Sequence, residues 1–248
     1  MTKNKIENAK KLLRSGELVI FPTETVYGIG GNAKNDNAIK KIYKIKKRPL
    51  NNPIICHFAN IRDIKKDFHL NKLEELLAKK LWPGPITLIL RKKNKSKISN
   101  LVSNNSLYVG CRIPNNKITL KLLSSLNFPV AAPSANFSER TSVTKIEDLD
   151  KKLIKKVFVI KGKQSELGLE STVIKVKNKN IELLRYGSTT PNNILKIAKK
   201  SKIKFMNRSK LSPGNLKKHY ATNKKIRINV KNVKNDEGLL NFGKNNLK

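Results

Sequence analysis

The stretch Phe21-Pro22-Thr23-Glu24-Thr25-Val26-Tyr27-Gly28 begins at the last residue of the apolar run 18–21. A short, continuous apolar run predicts a buried strand, and the proline after it predicts the end of that strand. We interpret the glycines that come next, Gly28, Gly30 and Gly31, as a bend that exposes backbone N–H groups. Ligands of α/β sheets bind at such strand ends, and exposed N–H groups favour anions. The sequence therefore predicts a site for an anionic ligand here.

A second stretch, Lys46-Lys47-Arg48-Pro49, ends the helix that is predicted next. Asp36 is the predicted N-cap, and the apolar residues that follow it recur at helical spacing: Ala38, Ile39, Ile42 and Ile45. Pro49 prevents the helix from continuing. Lys46 and Arg48 would thus lie beside the strand exit, where two cations can clamp a triphosphate. The alternative is that they complement the helix dipole and face solvent.

Helix and strand patterns alternate along most of the chain. Further helices are predicted over residues 6–13, 73–81, 118–126 and 192–199. Further strands are predicted over residues 53–58, 86–90, 107–113, 130–132, 157–160, 172–176 and 181–184. The segment Trp82-Pro83-Gly84-Pro85 predicts a rigid turn between a helix and a strand. The interleaving predicts an α/β fold, and the adjacent late strands favour a mixed sheet over a purely parallel one.

Length and composition set the broad class. The 248 residues, 38% of them hydrophobic, favour one domain of about 200 residues with an extension, or two small domains. No apolar stretch approaches the roughly 20 residues of a membrane span, and the polar start lacks a secretory signal, so we expect a cytoplasmic protein that binds no membrane. Cys56 and Cys111 form no C-x-x-C pair, so we expect reduced core thiols and no metal site.

The formal net charge of +37 permits two interpretations. Clustered cations neutralise nucleic-acid phosphates, which would indicate an RNA-facing surface. Alternatively, the charge reflects a general drift toward Lys, since only nine of the 54 basic residues are Arg. In such a chain the arginines draw attention, because a guanidinium binds carboxylates and phosphates in a two-pronged way that an ammonium cannot. Arg48, Arg112 and Arg185 stand out for this reason.

Six segments together resemble the threonylcarbamoyl-AMP synthases of the YrdC-like fold, in the same order along the chain. They are Pro22-Thr23-Glu24-Thr25-Val26-Tyr27-Gly28, Lys46-Lys47-Arg48-Pro49, Trp82-Pro83-Gly84-Pro85-Ile86-Thr87, Arg112-Ile113-Pro114, Pro133-Ser134-Ala135-Asn136-Phe137-Ser138 and Gly168-Leu169-Glu170-Ser171-Thr172. The resemblance implies a catalytic domain over residues 1–200, with a twisted mixed sheet, helices around it and a concave, positively charged cleft. The segment from Ser212 to Ala221 resembles the linker of longer, two-domain members. Residues 201–248 are therefore expected to be a basic linker or tail without a second folded domain.

The resemblance also implies roles for individual residues. Lys46 and Arg48 would be catalytic and would bind ATP together with Ser134, Asn136, Ser142, Tyr108, Arg185 and Tyr220. Threonine would be held by Thr25, His57, Arg112 and Ser171. The chemistry of Arg112 agrees, because its guanidinium can fork a carboxylate. His57 on its own would be interpreted as a core residue, and Arg185 precedes Tyr186 where the family has proline.

The activity that the resemblance implies is the joining of L-threonine, bicarbonate or carbon dioxide, and ATP into threonylcarbamoyl-AMP and pyrophosphate. Mg²⁺ would arrive with ATP, and the product would pass to a complex that modifies tRNA. One alternative is a basic module that binds double-stranded RNA or tRNA without turnover, and weak RNA binding is also compatible with the synthase. A further alternative, the related domain of hydrogenase maturation, normally accompanies zinc-binding cysteine pairs, whereas this chain has two separated cysteines.

Overall fold

The computed structural model describes residues 2–137, 140–206, 211–212, 226–228, 230, 232–234 and 236–239. Within these residues the helices are α1 (Thr2–Arg14), α2 (Asp36–Lys46), α3 (Ile61–Asp67), α4 (Lys72–Leu81), α5 (Lys117–Ser124), α6 (Lys151–Ile154) and α7 (Pro191–Ile197). The strands are β1 (Val19–Phe21), β2 (Gly28–Asn32), β3 (Cys56–His57), β4 (Phe68–His69), β5 (Ile86–Lys92), β6 (Tyr108–Arg112), β7 (Val130–Ala131), β8 (Phe158–Val159), β9 (Thr172–Lys177), β10 (Asn180–Arg185) and β11 (Ile203–Phe205).

One mixed sheet organises the fold. Its strand order is β11-β10-β9-β5-β6-β3-β7-β2-β1-β8, with β4 paired to β5 outside this path. Parallel pairs such as β3 with β6 and β5 with β9 alternate with antiparallel pairs such as β5 with β6 and β9 with β10. The predicted mixed α/β fold is therefore confirmed. Among the helices of the described residues, none combines the length and the apolar character that crossing a membrane requires.

The sheet separates two apolar cores. Along β1, Ile20 belongs to the larger core, whereas Val19 and Phe21 belong to a smaller one, as the two-residue period of a strand requires. The smaller core joins β1 to helices α1 and α5. Both cysteines are buried free thiols, and Cys56 lies opposite Cys111 in the β3–β6 pairing. Their predicted role as reduced core residues fits these positions.

Helix α2 ends as predicted but begins one residue earlier than the predicted cap implies. The N-cap is Asn35, whose side chain accepts hydrogen bonds from the backbone N–H groups of Asn37 and Ala38. Asp36, the predicted cap, is the first helical residue. At the other end Lys47 adopts a left-handed conformation with φ of 51°, which stops the helix immediately after Lys46.

The glycines after the first motif do not form a bend, and this prediction was wrong. They lie in strand β2, which pairs with β1 and β7. A Cβ atom at Gly30 would lie 2.6 Å from Cγ1 of Val130 and 2.9 Å from Cε1 of Phe21. The glycines therefore serve close packing against neighbouring elements, and β2 offers its N–H groups to strand pairing.

The sheet continues past residue 200. Strand β11 pairs in parallel with β10, and Met206 and Leu211 pack on the adjoining apolar cluster. Most of residues 207–248 lie outside the described part of the chain. Their assignment as a basic tail stays a prediction.

Candidate functional site

Several strands bring their ends to one edge of the sheet. Because β5 runs antiparallel to β6 and parallel to β9, strands β5 and β9 begin where β6 ends, and β10 also ends there. β3 runs parallel to β6 and ends at the same edge, with His57 directly opposite Arg112. A pocket lies at this edge. It is lined by Thr23, Thr25, Val26, Gly28, Arg48, Pro53, Ile54, Ile55, His57, Arg112, Ala132, Pro133, Ser134, Glu170, Ser171 and Arg185.

The four predicted threonine-binding residues all lie in this pocket lining. Thr25 follows β1, His57 is in β3, Arg112 ends β6 and Ser171 precedes β9. Three of the predicted ATP-binding residues share the lining, namely Arg48, Ser134 and Arg185. Segments far apart in sequence thus converge on one small volume.

Arg112 is held from several sides. Its guanidinium forms an ion pair with Glu24, with 2.7 Å between Nη2 and Oε1, and it donates from Nη1 to the Thr25 hydroxyl at 3.0 Å. Its Nε donates to the carbonyl of Gly84 at 3.3 Å. Burial lowers the pKa of Arg112, and the nearby Glu24 carboxylate opposes this effect. Arg112 therefore presents a fixed orientation to the pocket.

The loop after β1 is shaped by its own hydroxyls. The Thr23 hydroxyl donates to the Val26 carbonyl at 2.6 Å and accepts from the backbone N–H groups of Thr25 and Val26. It also contacts the Thr25 hydroxyl at 2.8 Å. Such side-chain to backbone bonds are typical of turns that begin with a threonine. They set the Thr25 hydroxyl in front of Arg112.

His57 is a neutral imidazole in the pocket wall. Its side chain is buried, and the pKa is lowered to about 3, mainly by burial and further by the charge of Arg112. The ring meets Phe21 edge to face, with 6.1 Å between ring centroids. Within the described residues Nδ1 has no hydrogen-bond partner. His57 therefore places an uncharged imidazole in the pocket wall.

Arg185 and Glu170 form a second, partly buried ion pair in the same lining. Arg185 Nη1 donates to the Glu170 carboxylate, while Nε and Nη2 donate to the Ser171 carbonyl at 3.1 and 2.9 Å. Nη2 also donates to the Ser171 hydroxyl at 3.1 Å. The Ser142 hydroxyl donates to Glu170 Oε1 at 3.2 Å. Ser142, predicted to bind ATP, thus lies one hydrogen bond from the pocket lining.

Arg48 is positioned by the loop that follows it. Its Nε donates to the Asn52 carbonyl at 3.0 Å, and Nη2 donates to Asn52 Oδ1 at 2.6 Å and to the Pro53 carbonyl at 2.7 Å. Burial lowers the pKa of Arg48 to about 10, so the side chain stays charged at neutral pH. This guanidinium is a fixed positive charge in the lining.

Lys46 lies behind the pocket. Its ammonium donates to the carbonyls of Ser134, at 2.5 Å, and Asn136. The side chain is 1% exposed, and its pKa is lowered to about 7 by burial and by the charge of Arg48. Lys46 therefore joins helix α2 to the segment that carries Ser134 and Asn136. It lines a second, basic cavity of about 870 Å³ between α2 and α6.

Two other predicted ATP-binding residues, Asn136 and Tyr108, lie outside the pocket lining. Asn136 is buried, donates to the carbonyls of Phe137 and Arg140, and has no partner for Oδ1 among the described residues. Tyr108 begins β6, four residues before Arg112, and its ring contacts the Lys175 ammonium at 3.7 Å. At about 3.4 Å per residue, the length of β6 separates Tyr108 from the pocket edge. Tyr220 lies outside the described residues.

Three side chains that organise the site were not predicted from the sequence. Glu24 and Glu170 lie inside two quoted segments, and each neutralises one pocket arginine. Thr87 contacts the Ser171 hydroxyl at 2.8 Å. The available signal was the scarcity of carboxylates in so basic a chain, since a buried carboxylate requires a partner.

The donor set does not suit a resident metal ion. Glu170 is the one carboxylate in the pocket lining as described, and it is already paired with Arg185. Mg²⁺ prefers oxygen ligands and retains several waters. A magnesium ion at this site would therefore be held by the phosphates of a bound nucleotide and by water.

Comparison with known proteins identifies similar chains. The Sua5/YciO/YrdC family model, described as Telomere recombination, matches residues 11–187. The chain is 36% identical over 230 residues to a threonylcarbamoyl-AMP synthase of Pyrococcus abyssi. The aligned part covers 90% of this chain and 67% of that protein. It is 38% identical over 225 residues to a threonylcarbamoyl-AMP synthase of Bacillus subtilis, and this alignment covers 87% of this chain and 64% of that protein.

A solved structure is similar as well. The crystal structure of P. abyssi Sua5 complexed with L-threonine superposes with a TM-score of 0.80 at 36% identity, over 87% of this chain and 65% of that one. The resemblance inferred from the six segments is confirmed, including its fold. The chain spans about two thirds of the length of these relatives.

Proposed function

Because this chain belongs to the Sua5/YciO/YrdC family, we propose that it is a threonylcarbamoyl-AMP synthase. Its substrates are L-threonine, bicarbonate or carbon dioxide, and ATP with its magnesium ion. Its products are threonylcarbamoyl-AMP and pyrophosphate. The product is the activated intermediate for threonylcarbamoyl-adenosine in tRNA, and it passes to a transfer complex in the cytoplasm.

One observation carries the proposal. Thr25, His57, Arg112 and Ser171 line the same pocket as three of the residues assigned to ATP. An amino acid and a nucleotide bound by these two sets would touch each other, as the joining of two substrates requires.

The threonine half of the site has the chemistry that an amino acid needs. Arg112 binds the carboxylate of threonine through its remaining N–H groups, with its orientation fixed by Glu24. The Thr25 and Ser171 hydroxyls and the neutral imidazole of His57 bind the amine and the side-chain hydroxyl. An uncharged His57 fits this role, because a second cation beside Arg112 would repel the ammonium.

The nucleotide half is a set of fixed positive charges. The neutral amine of threonine first attacks carbon dioxide and becomes a carbamate, and one N–H proton passes to solvent. When bicarbonate is the source, the same carbamate forms with the loss of a water molecule. A carbamate oxygen then attacks the α-phosphorus of ATP in line with the departing pyrophosphate. Arg48 and Arg185 neutralise the charge on the phosphates, and Lys46 adds positive charge from behind the pocket lining. Catalysis by placement and charge neutralisation requires no covalent nucleophile.

The test is pyrophosphate release from ATP and Mg²⁺, with threonine and bicarbonate omitted in turn. We expect release only when both are present, and loss of release in Arg48→Ala. Arg62→Ala is the matched control, because Arg62 is exposed on α3. Release that ignores threonine, or normal turnover in Arg48→Ala, would refute the proposal. RNA binding that nucleotide leaves unchanged, without any turnover, would indicate the binding module instead.

A further inference from the structure

Glu170 is a carboxylate in a pocket of cations. It pairs directly with Arg185, and its negative charge also acts on Lys46, Arg48 and Arg112, whose pKa values it raises against the effect of burial. Among the described residues of the lining it is the sole acidic side chain. An acidic side chain in a site for a polyanion lowers the affinity of that site, so its presence calls for a functional reason.

The donors of Arg185 are already engaged. All three nitrogens of the guanidinium donate, to the Glu170 carboxylate and to the carbonyl and hydroxyl of Ser171. The Ser142 hydroxyl also donates to Glu170. A phosphate that reaches Arg185 therefore competes with Glu170 for the Nη1 edge of the guanidinium. Two carboxylate oxygens resemble two phosphate oxygens in the bonds that they accept.

We propose that Glu170 is a specificity-determining residue of this site, a built-in counter-ion that phosphate oxygens must displace from Arg185 and Ser142. It lowers the affinity for every polyphosphate. Small or weakly charged anions form too few contacts to offset the free energy of displacing Glu170. A nucleotide triphosphate contacts several cations at once, and these contacts offset it. The same competition speeds the departure of pyrophosphate, because Glu170 reclaims Arg185. This inference rests on the proposed function.

The test is binding of inorganic pyrophosphate, and separately of ATP with Mg²⁺, to the full chain by titration calorimetry. Glu170→Gln keeps the size of the side chain and removes its charge. We expect it to bind pyrophosphate about tenfold more tightly than the wild type, since one opposing charge has been removed from a partly desolvated site. We also expect pyrophosphate to inhibit the variant more strongly as a product.

Glu182→Gln is the matched control. Glu182 lies on the same strand as Arg185 and pairs with Lys177 at 3.8 Å, outside the pocket lining. The substitution changes net charge by the same amount, so a general effect of charge would appear in both variants. Equal tightening in both variants, or affinity in Glu170→Gln that is unchanged or weaker, would overturn the inference.

A second measurement covers the case in which Glu170→Gln does not fold because Arg185 has lost its charged partner. Nitrogen-15 NMR of the wild type then decides, with the Arg185 Nε signal assigned by its loss in Arg185→Lys. We expect pyrophosphate to shift this signal, and an unshifted signal at saturation would overturn the inference. A wild type that makes product while Glu170→Gln gains no affinity refutes this inference alone. If neither protein binds ATP or pyrophosphate, the proposed function fails with it.

Discussion

Replacing Lys46 by Met should change how the stability of the protein depends on pH. Lys46 is 1% exposed, and the pKa of its ammonium falls from the usual 10.5 to about 7 in the folded chain. Burial is the main cause, and the charge of Arg48 adds to it. Methionine matches the length of the side chain without a charge.

The direction in which stability changes with pH follows from the number of protons that the folded and unfolded states bind. Between pH 7 and 10.5 the unfolded chain keeps the Lys46 proton longer than the folded chain does, so stability rises with pH in this window. Below pH 7 both states are protonated, and the folded state carries the full cost of a buried charge. Each pKa unit corresponds to about 1.4 kcal/mol, so the whole window corresponds to about 5 kcal/mol.

The assay is urea unfolding of wild type and Lys46→Met at pH 7, 8, 9 and 10, at constant ionic strength. The free energy of unfolding of the wild type should rise relative to that of Lys46→Met by about 1.4 kcal/mol per pH unit, or about 4 kcal/mol across these measurements. Lys41→Met, on the same helix, is the control, because its exposed ion pair with Glu17 should contribute less than about 1 kcal/mol. A difference between wild type and Lys46→Met that stays flat from pH 7 to 10 would refute the reasoning.

Three further predictions concern the pocket and the strand beside it. Arg112→Lys keeps the charge that faces Glu24 but loses the two-pronged guanidinium, so the KM for threonine should rise about 10- to 100-fold, with ATP affinity retained, as measured by steady-state kinetics and calorimetry. Gly30→Ala should lower the free energy of unfolding by about 1–3 kcal/mol, because the added Cβ would lie 2.6 Å from Val130 Cγ1. Since burial lowers the pKa of His57 to about 3, the unfolded chain binds more protons between pH 3 and 6.5, and the stability that this residue contributes should fall as pH drops through that range in a comparison of wild type with His57→Gln.

Each of these outcomes has a control or a contradiction. Gly238→Ala should be neutral, because nothing lies within 4 Å of the Cβ it would add. Equal losses of threonine and ATP affinity in Arg112→Lys would indicate a general disturbance of the pocket. For His57, parallel stability curves for wild type and variant from pH 4 to 7 would show that the imidazole titrates normally.

Local patterns predicted the elements that deliver the site. The run of residues 18–21, the spacing within α2 and the turn before β5 were each sufficient to place a motif at the end of a strand or helix. The parts that failed depend on neighbours that are distant in sequence. The glycines of β2 resemble a flexible bend until Phe21 and Val130 are packed against them. Asn35 and Asp36 are both good caps, and only the helix geometry distinguishes them.

The charge network of the site could not be predicted from local patterns. Ser142, Glu170 and Arg185 come from separate segments that the sheet brings together. The sequence marks each residue as polar but does not state which partner it has. Tyr108 aligns with a position that contacts the nucleotide in the family, and in this structure its ring contacts the Lys175 ammonium. Its role in nucleotide binding stays a prediction.

The parallel pairing of β5 with β9 also bears on how the protein folds. Ile86 pairs with Thr172, far later in the chain, and Ser171 joins the pocket only through that pairing. Contacts of this sequence separation carry a large loop-closure entropy and form slowly. In a chain still emerging from the ribosome, His57 and Arg112 are synthesised long before the residues of β9 and β10. If the chain binds threonine as proposed, binding becomes possible only late in folding, and threonine added during refolding would report the moment at which β9 pairs with β5.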